Sequence, residues 1–186
     1  GRATVAGMLS ETPATRLRPV NDLPALAERA ADLLRTPQTR LPLTFEEAGH
    51  VVSQMGIIPF PAGSTVLREG EGRRADYLLL LLEGEVQVES RANGGNDPMA
   101  ISVLGPGSII GEMSLLDGAP RSATCVALGN VLAAGLSRKG LELLIDEQPR
   151  TAAKLLMGLA QRLADRLRAL GQQLQMYAQL GGGPSA

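Results

Sequence analysis

The 186-residue chain has no tryptophan, two phenylalanines and two tyrosines, so aromatic side chains make up only 2% of it. Its core must therefore be assembled from leucine, valine, isoleucine and alanine, and the 44% apolar content allows one full domain with extensions. Cysteine is nearly missing too. Cys125 stands alone, which excludes an internal disulfide, and its apolar surroundings mark it as a buried strand residue. Cys125 and the single histidine, His50, are too few for a zinc or iron–sulfur site made of protein ligands. His50 falls in a helical stretch and reads as a packed or surface residue. A formal net charge of −1 gives no general attraction to nucleic acid or to an anionic membrane. No apolar run reaches bilayer length, and Leu79 to Leu82 fits one short strand. No basic, apolar signal segment opens the chain, so the expected location is the cytoplasm. No nucleophile–base set or metal cluster is legible, and an enzyme is not expected.

What is present has three textures. Residues 1–20, with Pro13 and Pro19, show no period. Residues 22–35 read as a helix, because Pro24 falls in its first turn and Leu26, Ala30, Leu33 and Leu34 share a face. Pro37 and Pro42 mark a linker. Thr44-Phe45-Glu46-Glu47 has capping-box spacing and opens a helix to about Met55, stopped by Gly56. From Ile57 to Leu136, short β-rich segments alternate with glycine turns, at 57–60, 65–67, 77–82, 85–89, 100–104, 122–128 and 131–136. Ala92 to Pro98 reads as a hairpin-type loop. This spacing predicts an all-β sandwich or barrel. Helices return after Ser137, first to about Glu147 and then from Pro149 to about Leu180. In the second of these, Leu156, Ala160, Leu163, Leu167, Leu170, Leu174 and Tyr177 recur at spacings of 4 and 3, the pattern of a parallel dimer seam. Arg162, Asp165, Arg166 and Arg168 fall off that seam, and Gly171 weakens the helix locally. A helix of this length spans about 48 Å, more than a cover for one small domain needs.

The densest chemistry lies between Gly111 and Thr124. Gly111 lets the backbone approach a ligand with no Cβ in the way. Residues 112–116 have room for one helical turn, ended by Asp117-Gly118, whose first N–H groups have no partner inside it. Arg121 carries a planar fork of donors that matches two phosphate oxygens. Ser122 adds a hydroxyl and, with Ala123, backbone N–H groups. Glu112 accepts only, which suits a ribose 2′-hydroxyl. Met113, Leu115 and Leu116 read as core anchors, with only the backbone of Met113 or Ser114 near a phosphate. Alone, a surface Glu–Arg pair contributes under about 1 kcal/mol, and each glycine is a turn glycine. Together they describe a site for a ligand with both a phosphate and a ribose.

Ile110-Gly111-Glu112-Met113-Ser114-Leu115, followed by Pro120-Arg121-Ser122-Ala123-Thr124, resembles the phosphate-binding cassette of cyclic-nucleotide-binding domains of the catabolite-activator family. Ile110 stands where that pattern opens on an aromatic. Pro61-Ala62-Gly63, Arg68-Glu69-Gly70, Leu82-Glu83-Gly84-Glu85-Val86 and Leu104-Gly105-Pro106-Gly107 resemble the family's turns, so the resemblance covers about residues 44–180. It implies a mainly β fold with flanking α: a jelly-roll-like β-barrel with N-terminal helices and a long C-terminal helix. The expected divisions are an extension at 1–43, the cyclic-nucleotide-binding domain at 44–148, the helix and homodimer seam at 149–180, and a tail at 181–186.

The resemblance also implies a function: a non-enzymatic sensor of a cyclic mononucleotide, cAMP first and cGMP second. Its ligand contacts would be Gly111, Glu112, Met113, Ser114, Arg121, Ser122 and Ala123, with Val103 and Ile110 walling the sugar and base. Ser122 stands where cGMP-preferring relatives often carry threonine, which puts cAMP ahead. Leu170-Gly171 aligns with the Thr-Ser pair that meets adenine in the activator, so Gln172, Gln173 or an apolar lid is expected there instead. In transcription factors of this type a winged helix-turn-helix follows the long helix. Only six residues follow Leu180 here, so direct DNA binding by this chain is not expected, and the output would pass to an unspecified protein partner. The competing readings are a dimerisation module with a vestigial pocket and a sensor of a different small ligand.

Overall fold

The computed structural model describes residues 17–35, 39–72, 76–90 and 99–181. A 3₁₀ turn at Val20–Asp22 precedes helix α1 (Pro24–Leu34) and helix α2 (Phe45–Ser53). Eight strands follow among the described residues: β1 (Met55–Phe60), β2 (Thr65–Leu67), β3 (Tyr77–Glu83), β4 (Val86–Ser90), β5 (Met99–Leu104), β6 (Ile109–Ile110), β7 (Thr124–Ala127) and β8 (Val131–Ser137). A short helix α3 (Glu112–Asp117) interrupts them after β6, and α4 (Arg138–Glu147) and α5 (Pro149–Gly181) close the chain. All strand pairs are antiparallel, in two sheets ordered β1-β8-β3-β6 and β2-β7-β4-β5. They face each other as a jelly roll and do not close into one continuous barrel.

The leucine run in β3 shows why the layers form. Leu78, Leu80 and Leu82 join Ala30, Val51, Val52, Leu141, Leu155 and Leu159 in a cluster between the first sheet and the helices. Tyr77, Leu79 and Leu81 join Ile58, Val86, Val88, Cys125 and Ala133 in a second cluster between the two sheets. A strand covered on both sides needs an unbroken apolar run, which is what the sequence supplies there. In β4, by contrast, Val86 and Val88 are buried while Gln87 and Glu89 are half-buried, the alternation of a strand with one wetter face.

The capping box forms as its spacing predicts. Glu47 N–H donates to Thr44 Oγ1 at 3.2 Å and Thr44 N–H to Glu47 Oε2 at 2.8 Å. The same carboxylate accepts from Lys154 Nζ at 2.6 Å, with both side chains about 15% exposed, which clamps α2 to the start of α5. That hydrogen bond, aided by the Thr44 backbone N–H, holds the Glu47 carboxyl below its ordinary value.

Three expectations shift. Strand β6 is two residues long, too short to show a period, and it forms because Ile109 and Ile110 pair with Leu80 and Leu79. The segment expected as a strand from 122 begins at Thr124, because Arg121 to Ala123 belong to a loop that lines a cavity. Helix α5 packs on its own domain only through its first half. Ala152, Leu155 and Leu159 are buried, whereas every described side chain from 165 to 179 is exposed. Residues 1–16, the whole of the expected hairpin loop at 92–98, and the tail from 182 lie outside the described residues. Among those described, no helix is long and apolar enough to cross a membrane.

Candidate ligand-binding site

A cavity of about 360 Å³ opens between the inner face of β4, β5 and β7, the β6–α3 junction, and α5. This is within the usual range for small-ligand sites. Gly111 follows β6 with φ +78°, and a Cβ there would collide with the Arg121 guanidinium and crowd Tyr77 O. Glycine is thus required twice, by the left-handed backbone and by the packing. Gly118, also left-handed at φ +70°, ends α3 by donating to Ser114 O at 3.0 Å. The first-turn N–H groups of Glu112, Met113 and Ser114 have no acceptor within α3, and all three residues line the cavity.

Arg121 is 3% exposed and also lines the cavity. Its backbone is pinned by Glu71, whose carbonyl accepts from Arg121 N–H at 3.0 Å, and by Gly70 N–H, which donates to Arg121 O at 2.9 Å. Its Nη1 donates to Gly111 O at 2.7 Å and its Nη2 to Tyr77 O at 2.9 Å, with the guanidinium 4.4 Å from the centre of the Tyr77 ring. The Nε is buried without a partner, and no carboxylate pairs with this cation among the described residues. A buried, uncompensated cation is costly, and an arriving anion offsets that cost. Beneath it, burial pushes the Cys125 thiol up to about 11, against the opposing charge of Arg121.

The structure brings together Ile110, Gly111, Glu112, Met113, Ser114, Arg121, Ser122 and Ala123 at this cavity. It does not bring Val103. That side chain is 53% exposed, paired with Gln87 on the outer face, while strand alternation turns Ser102 and Leu104 to the cavity. A bulge supplies a different wall residue: Val88 pairs with Ser102 and Glu89 with Ala100, so Ile101 is left unpaired in the ladder and reaches the cavity. The core anchors are corrected too. Leu115 is fully buried, but Met113 and Leu116 are 40% and 39% exposed. Ser122 is exposed at the rim, its hydroxyl donating to Met113 Sδ at 3.9 Å.

Leu170 lines the cavity, as the aligned lid position implied, but Gln172 and Gln173 do not. Sequence reasoning missed Arg162 and Arg166, which reach the cavity from α5. Both had been set aside as lying off the dimer seam. The signal was available in the spacing 162, 166, 170, one row of an α-helix. Burial pushes the Arg162 guanidinium below its ordinary value, and the charge of Glu112 opposes this. On the far side of the cassette, Arg138 Nη2 donates to Leu115 O at 2.6 Å, so the first turn of α4 holds a carbonyl that α3 leaves open.

Comparison with known proteins agrees with this geometry. A family model described as "Cyclic nucleotide-binding domain" matches residues 57–148. A CRP-like cAMP-activated global transcriptional regulator of Mycobacterium tuberculosis is 32% identical over 113 residues, 61% of this chain and 49% of the relative. The cyclic AMP receptor protein of Thermus thermophilus is 35% identical over 106 residues, 57% of this chain and 48% of the relative. The chain thus spans about half the length of these curated relatives. The crystal structure of a cyclic nucleotide-binding domain from Methylobacillus flagellatus superposes with a TM-score of 0.73 at 32% identity, covering 87% of this chain and 86% of that one. With the cassette folded around Arg121 and the family match spanning the jelly roll, the chain belongs to the cyclic-nucleotide-binding domain family.

Proposed function

We propose that this chain is a non-enzymatic sensor domain that binds a cyclic purine mononucleotide in the cavity and transmits occupancy to α5. The observation that carries this reading is Arg121, a buried cation with no counter-ion among the described residues and an unpartnered Nε, beside the open N–H groups of α3. A cyclic phosphate supplies the missing negative charge and acceptor oxygens, with Ser122 and Ala123 adding donors at the rim. Glu112 accepts from the ribose 2′-hydroxyl, Gly111 permits the close approach, and Ile110 walls the sugar. The relatives named for cAMP support cAMP as the first ligand to test. The sequence argument for cAMP over cGMP rests on Ser122, whose hydroxyl is turned to Met113, so the choice of base passes to the groups on α5.

Transmission has a physical route. Ligand drawn to the α3 N-terminus shifts α3, whose Leu115 carbonyl is held by Arg138 of α4, and α4 packs on α5. The two states differ in contacts, as a population shift requires. Beyond residue 164, α5 exposes Leu167, Leu170, Leu174 and Tyr177 in one stripe, which supports a parallel homodimer seam. Leu170 belongs to both stripe and cavity, so occupancy and pairing share a residue. A downstream protein would read the resulting helix position. Calorimetric titration of nucleotide-free protein with cAMP and cGMP tests the reading. Micromolar or tighter binding that is lost in Arg121→Ala supports it, and no binding to either nucleotide contradicts it. Sedimentation of wild type and Leu174→Asp tests the seam, with a dimer expected for the first and a monomer for the second.

A further inference from the structure

We infer that Arg166 on α5 reads the edge of the base, and that the cavity favours guanine over adenine. This rests on the cyclic-nucleotide reading above and specifies its ligand. With phosphate at Arg121 and ribose at Glu112, the base occupies the remaining part of the cavity, bounded by Val88, Ile101, Leu104 and α5. Of the long polar side chains that α5 brings to the cavity, Arg162 donates to Gly107 O at 3.5 Å, which leaves Arg166, a side chain that donates hydrogen bonds and accepts none, to face the base. Among the described residues, carboxylates are lacking there. Asp165 is one residue away but is paired with Arg168 at 2.8 Å, and Glu112, the cavity's acidic residue, is assigned to the ribose. Arg166 itself is exposed and has no ion pair among the described residues, so its fork is available to a ligand.

The two purines differ at the edge such a fork meets. Guanine presents O6 and N7, both acceptors, side by side. Adenine presents N7 beside the N6 amino group, a donor, so one arm of the guanidinium faces another N–H. A planar fork therefore matches guanine in two bonds and adenine in one. Arg166 and Leu170 are four residues apart on one helix face, so Leu170 covers the ring while Arg166 reads its edge. Since Leu170 is 48% exposed, the helix has room to settle over a base.

The test is competitive calorimetry on the nucleotide-free chain with cGMP, cAMP and cIMP, the last carrying O6 and N7 without the guanine amino group. Wild type is expected to bind cGMP and cIMP about tenfold more tightly than cAMP. Arg166→Ala is expected to weaken cGMP and cIMP about tenfold more than it weakens cAMP. Arg166→Lys, which keeps the charge and loses the fork, is expected to resemble the alanine variant. Base readout is overturned if cAMP binds as tightly as cGMP, or if Arg166→Ala lowers all three affinities by the same factor, the mark of charge alone. The Arg121→Ala control separates the two claims. Equal binding of all three ligands, lost in that variant, sinks only the base readout; no nucleotide binding at all, or binding indifferent to Arg121, sinks both.

Discussion

The two sides of the cavity are built differently. On the jelly-roll side, Arg121, Ser114, Ile110 and Cys125 are each 5% exposed or less, and the arginine is held by two carbonyls and an aromatic ring. On the α5 side, Arg166 is exposed and Leu170 is 48% exposed. Within α5 the change is abrupt, from Leu159 at 1% to Leu167 at 69%. The Arg121 end is preorganised, so most of the affinity should reside there. The helix end is anchored only by its first half, so selectivity and output should reside there. A sensor needs both: a rigid anchor for the ligand and an element whose position the ligand changes.

The comparison is broken most severely at Arg121. Arg121→Ala should lower nucleotide affinity by about 2–5 kcal/mol, about 30-fold or more, measured by calorimetry. Next, Glu112→Gln keeps the shape of the proposed ribose contact and removes its charge. A loss of about 1.5–3 kcal/mol is expected for the ribonucleotide, and a smaller one for the 2′-deoxy analogue. Gly111→Ala acts indirectly, straining a backbone at φ +78° and displacing the guanidinium. It should reduce stability by about 1–3 kcal/mol in denaturant melts and weaken binding with it.

The smallest effect lies at the helix anchor. Glu47→Gln keeps the cap but loses the Lys154 charge pair, so about 1 kcal/mol or less should go at pH 7. The sign with pH follows from the lowered carboxyl. The folded state holds fewer protons than the unfolded one, so the contribution is present above the ordinary carboxylate value and is lost as pH falls through the folded one. Thermal melts of wild type and Glu47→Gln should therefore converge on acidification.

Much of this was legible wherever the signal is local. The capping box at Thr44, the leucine run in β3, the cassette glycines and the presence of Glu112 and Arg121 in one short stretch all depend on neighbours in sequence. Val103 was misplaced because its face is set by its register opposite Gln87 of β4, which only folding reveals, and the bulge at Ile101 likewise leaves no mark in an apolar alternation. Strand β6 was invisible because two isoleucines have no period. The arginines of α5 were missed for a different reason. The seam pattern explains their helix without them, and only folding brings residues 162 and 166 to the cavity that residue 112 also lines. Met113 and Leu116 were assigned to the core on their apolarity, whereas a six-residue helix has one inward face and Leu115 fills it.

The central claim is that ligand held at the rigid end repositions the loosely held one. Amide hydrogen exchange of the nucleotide-free and nucleotide-saturated protein tests it most directly. The account predicts slowed exchange at 111–114 and 121–124, accompanied by a change across 163–172, with 150–159 unaltered. Protection confined to the cassette, with α5 exchanging identically in both states, would contradict it.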